Sequence, residues 1–476
     1  MRTGKSDISG WLVRPVGRAP WAVLLAVLAA CAGHAARVTS DGGMDNAIVV
    51  RAARTWLAGG SPYDDPHFLY LPSAVLAAVP QAMLPAAVLR WLVPCAVTAL
   101  LAVGWACALR LHRVPLGSRL AVLGLTGLAA GFAPFGHLVR LGNWTVTAAV
   151  ALPLALLLAS RGRWTAAGAV VGAAVALKPL LAPVVLLFLF AGRWRALATA
   201  VALPALASGA AALLMPDPAG FFTRTLPFLL HGDDGFVRLY EASPAAVLPR
   251  LGVPEAAAQA LAVAAAGAGV LCAYVRWRRA DPGPLRLAET GAGLMLAAFL
   301  VSRPSYDHYL LVVLPLLLAG LPYAGSAARV AWFWISLVPQ VPGLTWPWLE
   351  SDRRRAFRDA FTLCVLAVTV ARQSAGGPAG GRTGTTGTTG TTRTATGRAP
   401  GPGRSPCRSA GLRFDQAAPP RVLCTVVCVL ACSFSREGPL HRSTGTDDQR
   451  PARGLRHRCA VRAVVIVFGD LVRTIH

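Results

Sequence analysis

The chain has 476 residues, 55% hydrophobic and only 14% charged. A soluble globular protein carries about a quarter charged residues. The mean hydropathy of +0.54 and the recurring apolar runs of about 18 or more residues exclude a soluble enzyme and, over the first three quarters, a disordered scaffold. Lys and Arg outnumber Asp and Glu 46 to 21, a net charge of +25, yet the basic residues form no patch or stripe of the kind that nucleic acid requires. They sit in short clusters between apolar runs, such as Arg161/Arg163, Arg193/Arg195 and Arg276/Arg278/Arg279. This is the positive-inside pattern of a polytopic membrane protein.

Residues 1–19 are polar and basic and predict a cytoplasmic N-terminus. The apolar run from Pro20 predicts a first membrane helix. Leu28-Ala29-Ala30-Cys31 resembles a lipoprotein cleavage box, but the many spans that follow favour a retained helix over a cleaved signal. Residues 37–70 read as an external segment. Within it, Asp41-Gly42-Gly43-Met44-Asp45-Asn46 opens a helical stretch that ends at Leu57, before Gly59-Gly60. At about 100° per residue, Ile48, Val49, Ala52, Ala53, Trp56 and Leu57 form one apolar stripe. The stretch predicts an amphipathic helix on the outer membrane face or against the bundle. Asp45 lies in its first turn, on the stripe side. Two roles suit it there: an N-cap, or a general base at the membrane–water boundary.

Further apolar runs cover 71–109, 120–136, 142–159, 164–191, 196–215, 255–275, 287–301, 308–323, 329–347 and 357–371, several interrupted by proline. Such breaks are tolerated in a membrane only where protein or a water-filled cavity satisfies the backbone. The basic clusters at 110–119 and 161–163 require an odd number of crossings in 71–109, as one full span plus a re-entrant half-helix provides. Arg353-Arg354-Arg355 conflicts with simple alternation. The expectation is an all-α transmembrane bundle of about 11–13 segments over 20–371. A second external loop covers 216–253 and includes His231, Asp233, Asp234, Tyr240 and Glu241. From 372 to 476 the composition turns to a Gly/Thr repeat and Arg/Pro/Gly-rich sequence, with 16 Arg against 5 acidic residues. That tail predicts disorder and reads as dispensable, its triplet repeat pointing to a frame-shifted extension. Of ten cysteines, five lie in apolar runs as small hydrophobes and five after residue 400. None is spaced as a zinc site, so neither a metal nor a disulfide framework is expected.

Three clusters carry candidate chemistry. Arg140-Leu141-Gly142-Asn143-Trp144 separates two apolar runs, as a plain turn or as part of a site. Lys178-Pro179 sets a lysine among apolar residues, costing about 2.5–3.5 kcal/mol at mid-membrane. It either snorkels from a helix end or holds an anionic headgroup. Ser302-Arg303-Pro304-Ser305-Tyr306-Asp307-His308-Tyr309 is the densest polar cluster between apolar runs. No G-x-S-x-G elbow supports Ser-His-Asp hydrolysis.

These motifs, in order, with Gly59-Gly60-Ser61-Pro62-Tyr63 and Tyr70-Leu71-Pro72, make residues 20–371 resemble glycosyltransferase family 87. These are polyprenol-phosphate-mannose-dependent α-mannosyltransferases of the GT-C superfamily. The chain departs from the family pattern at Gly142-Asn143, at Glu241-Ala242-Ser243 and at Tyr306. The resemblance implies a GT-C-type bundle with Asp45 as catalytic base. Lys178, Arg303, His308, Arg140 and Asn143 would meet the donor, and Tyr63, Tyr70, Tyr306 and Asp307 the substrates. The implied reaction is an inverting mannosyl transfer from a polyprenyl-phosphate donor to an envelope glycolipid, glycan or protein, on the extracytoplasmic face of the plasma membrane. A lipid monophosphate carries less charge than a nucleotide diphosphate, so no metal or cofactor is invoked. The competing classes are a transporter or flippase, for which proline-broken helices and an intramembrane lysine would suit, and an inactive envelope-assembly protein.

Overall fold

The computed structural model describes residues 8–231, 240–280, 283–344 and 352–375. Asp233, Asp234, residues 1–7 and the tail from 376 onward lie outside them. Among the described residues the protein is helical, with a single isolated bridge between Pro15 and Ser118.

Five helices among the described residues are long and apolar enough to cross a membrane: α1 (Arg18–Val38), α4 (Ala86–Leu111), α10 (Trp194–Leu213), α11 (Glu255–Arg278) and α12 (Gly283–Val301). The pair α5 (Arg119–Gly131) and α6 (Ala133–Leu141), bent by 72°, is apolar enough to form a broken span or a re-entrant loop. Pro134, at the start of α6, lacks an N–H and restricts the residue before it, which breaks the helix there. Between the long helices run shorter ones: α2 (Met44–Leu57), α3 (Pro72–Ala82), α7 (Thr145–Ser160), α8 (Trp164–Leu177), α9 (Val185–Phe190), α13 (Leu314–Ala319) and α14 (Ala331–Leu337). The chain closes in α15 (Asp352–Ala375). The 11 to 13 expected segments are thus a mixture of full spans and short or bent pieces. The 71–109 run divides at Pro85 into short α3 and the 26-residue α4. The last helix runs on to Ala375, past the expected boundary at 371, and Arg279 bonds to the Gln373 carbonyl at 3.0 Å.

Helix packing relies on small residues. A Cβ on Gly168 would stand 2.3 Å from the Ala196 carbonyl, so α8 and α10 touch backbone to backbone. The two ends of the bundle differ in character. Arg193 lies over the Trp164 ring and Arg286 over Trp277, so the basic turns after α7, α9 and α11 gather at one end. The polar segments 39–71, 142–145, 240–247 and 302–309 gather at the other. There α2 packs on α3 over a small second core of Val49, Ala52, Ala53, Tyr63, Phe68, Tyr70 and Trp144. The buried stripe of α2 departs from the expected one at two positions. Val50 is buried while Leu57 is 52% exposed, because Trp56 ties the helix end to the Leu214 carbonyl (3.0 Å) and leaves Leu57 outside.

Candidate functional site

The site begins with a backbone contact. Gly43 has φ +107 and Gly142 has φ +61, conformations that side chains rarely adopt. A Cβ on Gly43 would lie 2.4 Å from the Arg140 carbonyl, and one on Gly142 would lie 2.1 Å from the Gly42 carbonyl. Glycine at both positions lets the turn before α2 press directly on the turn after α6. The N-cap of α2 is Gly43, so the N-cap reading of Asp45 fails. Asp45 is the second residue of the helix, half-buried, with its carboxylate turned inward.

There it meets Asn143, whose Nδ2 donates to Asp45 Oδ2 at 2.5 Å. Asn143 Oδ1 accepts from the Thr145 N–H (2.7 Å) and from Lys178 Nζ (2.8 Å). These two donors orient the amide, leaving its NH₂ for the carboxylate. Lys178 Nζ also donates to Thr145 Oγ1 at 2.9 Å. Proline at 179 disfavours helical backbone at the residue before it, and Lys178 is accordingly extended (φ −151, ψ 123). That ends α8 and turns the lysine into the bundle instead of along its surface. Its ammonium faces the Tyr70 ring (5.7 Å) and the Tyr309 ring (5.1 Å), within cation–π range.

The segment 302–309 closes the other side. The Ala242 N–H donates to the Ser305 carbonyl at 2.7 Å, joining the two loops. Tyr306 stacks on His308 (5.4 Å, 16°), and Tyr309 stands edge-on to both. His308 is 2% exposed. Asp45, Asn143, Lys178, Tyr70, Tyr306 and His308 therefore belong to one cluster, linked through Tyr309.

Four predicted residues are placed differently. Arg303 is held by Glu241 (3.6 Å) and Glu255 (3.5 Å). The Arg140 side chain is exposed, and its carbonyl is what packs against Gly43. Tyr63 lies beneath the site, its hydroxyl donating to the Tyr70 carbonyl at 3.4 Å. Burial, and then the Asp217 carboxylate, push its phenol above the ordinary range, so it stays neutral. Asp307 turns away from Lys178 toward His137, which donates from Nδ1 at 2.5 Å.

Tyr309, Thr145, His137 and Arg355 take part without having been assigned a role in the site. Arg355 was legible only as a basic cluster at the wrong end. Its guanidinium reaches His137 and Asp307, which accounts for that conflict with charge alternation. His137 is the lone ionisable residue inside the run from Arg119 to Arg140, a signal that could have drawn attention. Among the described residues, no group of three or more His, Cys, Asp or Glu side chains is arranged to hold a metal ion.

The geometry thus joins a half-exposed carboxylate, an ammonium and a buried imidazole at one end of a membrane bundle. Comparison with known proteins bears on this arrangement. The sequence model of glycosyltransferase family 87 matches residues 68–302, a span that contains Tyr70, Asn143 and Lys178 and stops just short of Arg303. An α-(1→3)-arabinofuranosyltransferase of Mycobacterium tuberculosis is 37% identical over 176 residues, which cover 37% of this chain and 41% of that protein. The enzyme of the same name from Mycolicibacterium smegmatis is 28% identical over 263 residues, 53% of this chain and 59% of its own length. The chain therefore spans between two fifths and three fifths of these relatives. No solved structure matches. Over residues 68–302, this polytopic all-α membrane protein is thus similar to glycosyltransferase family 87.

Proposed function

We propose that the protein is a membrane glycosyltransferase that moves one sugar from a polyprenyl-phosphate donor to a hydroxyl of an envelope glycolipid, glycan or protein. The observation that carries this reading is the Asp45–Asn143–Lys178 chain, which sets a proton acceptor and a fixed cation a few ångströms apart at the end of the bundle. The acceptor oxygen attacks the anomeric carbon as the bond from that carbon to the phosphate oxygen breaks. Asp45 takes the hydroxyl proton. Lys178 and His308 face the charge that develops on the departing lipid phosphate. A single displacement of this kind inverts the anomeric centre. The basic turns at the opposite end favour an extracytoplasmic site in the plasma membrane.

The sugar is read from the relatives. The family resemblance implies mannosyl, while the curated relatives carry arabinofuranosyl in their names; we put arabinofuranosyl first. The test incubates membranes holding the protein with radiolabelled polyprenyl-phosphate-arabinofuranose or polyprenyl-phosphate-mannose and envelope extracts. Label from the arabinose donor is the expected result. Label from mannose alone would restore the mannosyl reading, and label from neither, with folded protein present, would overturn the enzyme.

A further inference from the structure

We infer that Arg355, His137 and Asp307 form a positioning chain that decides which nitrogen His308 presents to the lipid phosphate, an inference that rests on the function proposed above. Three distant parts of the sequence meet here. Arg355 comes from the first turns of α15, His137 from the middle of α6 beyond its 72° bend, and Asp307 from the turn after α12. Arg355 Nη2 lies 3.0 Å from His137 Nε2 and 2.9 Å from Nδ1. It also lies 3.8 Å from Asp307 Oδ2, the oxygen that His137 Nδ1 approaches at 2.5 Å.

A guanidinium only donates and a carboxylate only accepts. Asp307 can only accept, so His137 Nδ1–H donates to it, and Nε2 is the ring nitrogen left able to accept from Arg355 Nη2, which stands nearly equidistant from both. That arrangement occupies Asp307 Oδ2. The other oxygen, Oδ1, accepts the His308 backbone N–H at 2.7 Å and stands 3.3 Å from His308 Nδ1.

The consequence falls on His308. With Nδ1 directed at Asp307 and the ring clamped between Tyr306 and Tyr309, Nε2 is the atom left for a ligand. It is buried and has no hydrogen-bond partner among the described residues. A buried polar atom without a partner is costly, and a phosphate oxygen would satisfy Nε2 when that nitrogen carries a proton. His137 and Arg355 touch neither reactant. They are positioning residues, and their loss should act through His308 alone.

The test measures binding of undecaprenyl monophosphate to the purified full-length protein in detergent, with the melting temperature followed in parallel. His137→Phe keeps the ring shape but removes both polar atoms, and should weaken binding about tenfold or more, as expected for a lost hydrogen bond to a charged group. His137→Asn keeps a donor near the place of Nδ1 and should recover most of the affinity. In a His308→Gln background, His137→Phe should cost nothing further, because the two act as one unit. Wild-type affinity in His137→Phe would overturn the inference. So would a loss in which His137→Phe and His137→Asn fall equally with the melting temperature, or a loss that adds fully to His308→Gln. Absence of glycosyl transfer by the wild type, with this binding pattern intact, would overturn the proposed function and leave the positioning chain standing.

Discussion

Each end of the bundle sets a carboxylate near a cation, and the two arrangements are finished differently. At the basic end, Arg276 Nε donates to Glu289 Oε2 at 2.7 Å, with the side chains 3% and 2% exposed. Glu289 Oε1 accepts the Ala327 N–H at 2.8 Å, so both oxygens are engaged inside the protein. At the other end, Asp45 is half-buried and bonded through Oδ2 to Asn143, while the nearby His308 Nε2 is without a partner among the described residues. A saturated buried pair holds helices in register, and breaking it leaves a stranded charge. An unsaturated cluster is available to a ligand. Local composition does not separate them, since both are arginines or lysines and acids among apolar residues. Saturation does.

Replacing one member at each end is the direct way to break that contrast. The largest effect is expected from Asp45→Asn, which keeps the side-chain shape and removes the proton acceptor. Sugar transfer should fall about 10²- to 10⁴-fold with normal expression, while Asp41→Asn transfers like wild type. Full transfer by Asp45→Asn with loss in Asp41→Asn would move the base to the other aspartate.

Arg276→Met strands the buried Glu289 and should cost about 3–5 kcal/mol of stability. It would be read as a lower melting temperature, with transfer per folded molecule unchanged. A variant as stable as wild type would remove the distinction between the two ends.

A smaller change is expected from Lys178→Met. Losing hydrogen bonds from a charged group costs about 1.5–3 kcal/mol, so use of the lipid donor should weaken about 10- to 10²-fold while the protein stays folded in the membrane. Unchanged donor kinetics would return Lys178 to a purely structural role.

The smallest effect sharpens the boundary of the membrane body. Truncation after Ala375 should leave insertion and transfer intact. Truncation after Val370 should lower stability, because it removes the Gln373 carbonyl that accepts from Arg279. Equal behaviour of the two would show that the last turn of α15 contributes nothing.

Much of the architecture was legible along the chain because its signals are local. Apolar run length marks the spans, arginine clusters mark one end, and a proline at 179 stops a helix at Leu177 and frees Lys178. The Gly142 segment was legible as a turn, and Asp45 as a residue of a first helical turn on the apolar-stripe side. The N-cap role offered for Asp45 was not borne out, because the backbone contact at Gly43 begins the helix two residues earlier than a cap at Asp45 requires.

By itself, the sequence determined that this chain is a polytopic helical membrane protein, where its helices break, and which short polar clusters interrupt them. Run length, periodicity and breaker residues act within a few positions, so they can be read without a fold. Only the tertiary structure decided which clusters share a site. Asp45 and Asn143 are 98 residues apart, and Arg355 and His137 are 218 apart. Their pairing depends on a 72° bend, on backbone contact between glycine turns and on α15 passing beside α6. Those are properties of helix packing, where the contact is specified by shape on both sides and no single segment contains the information.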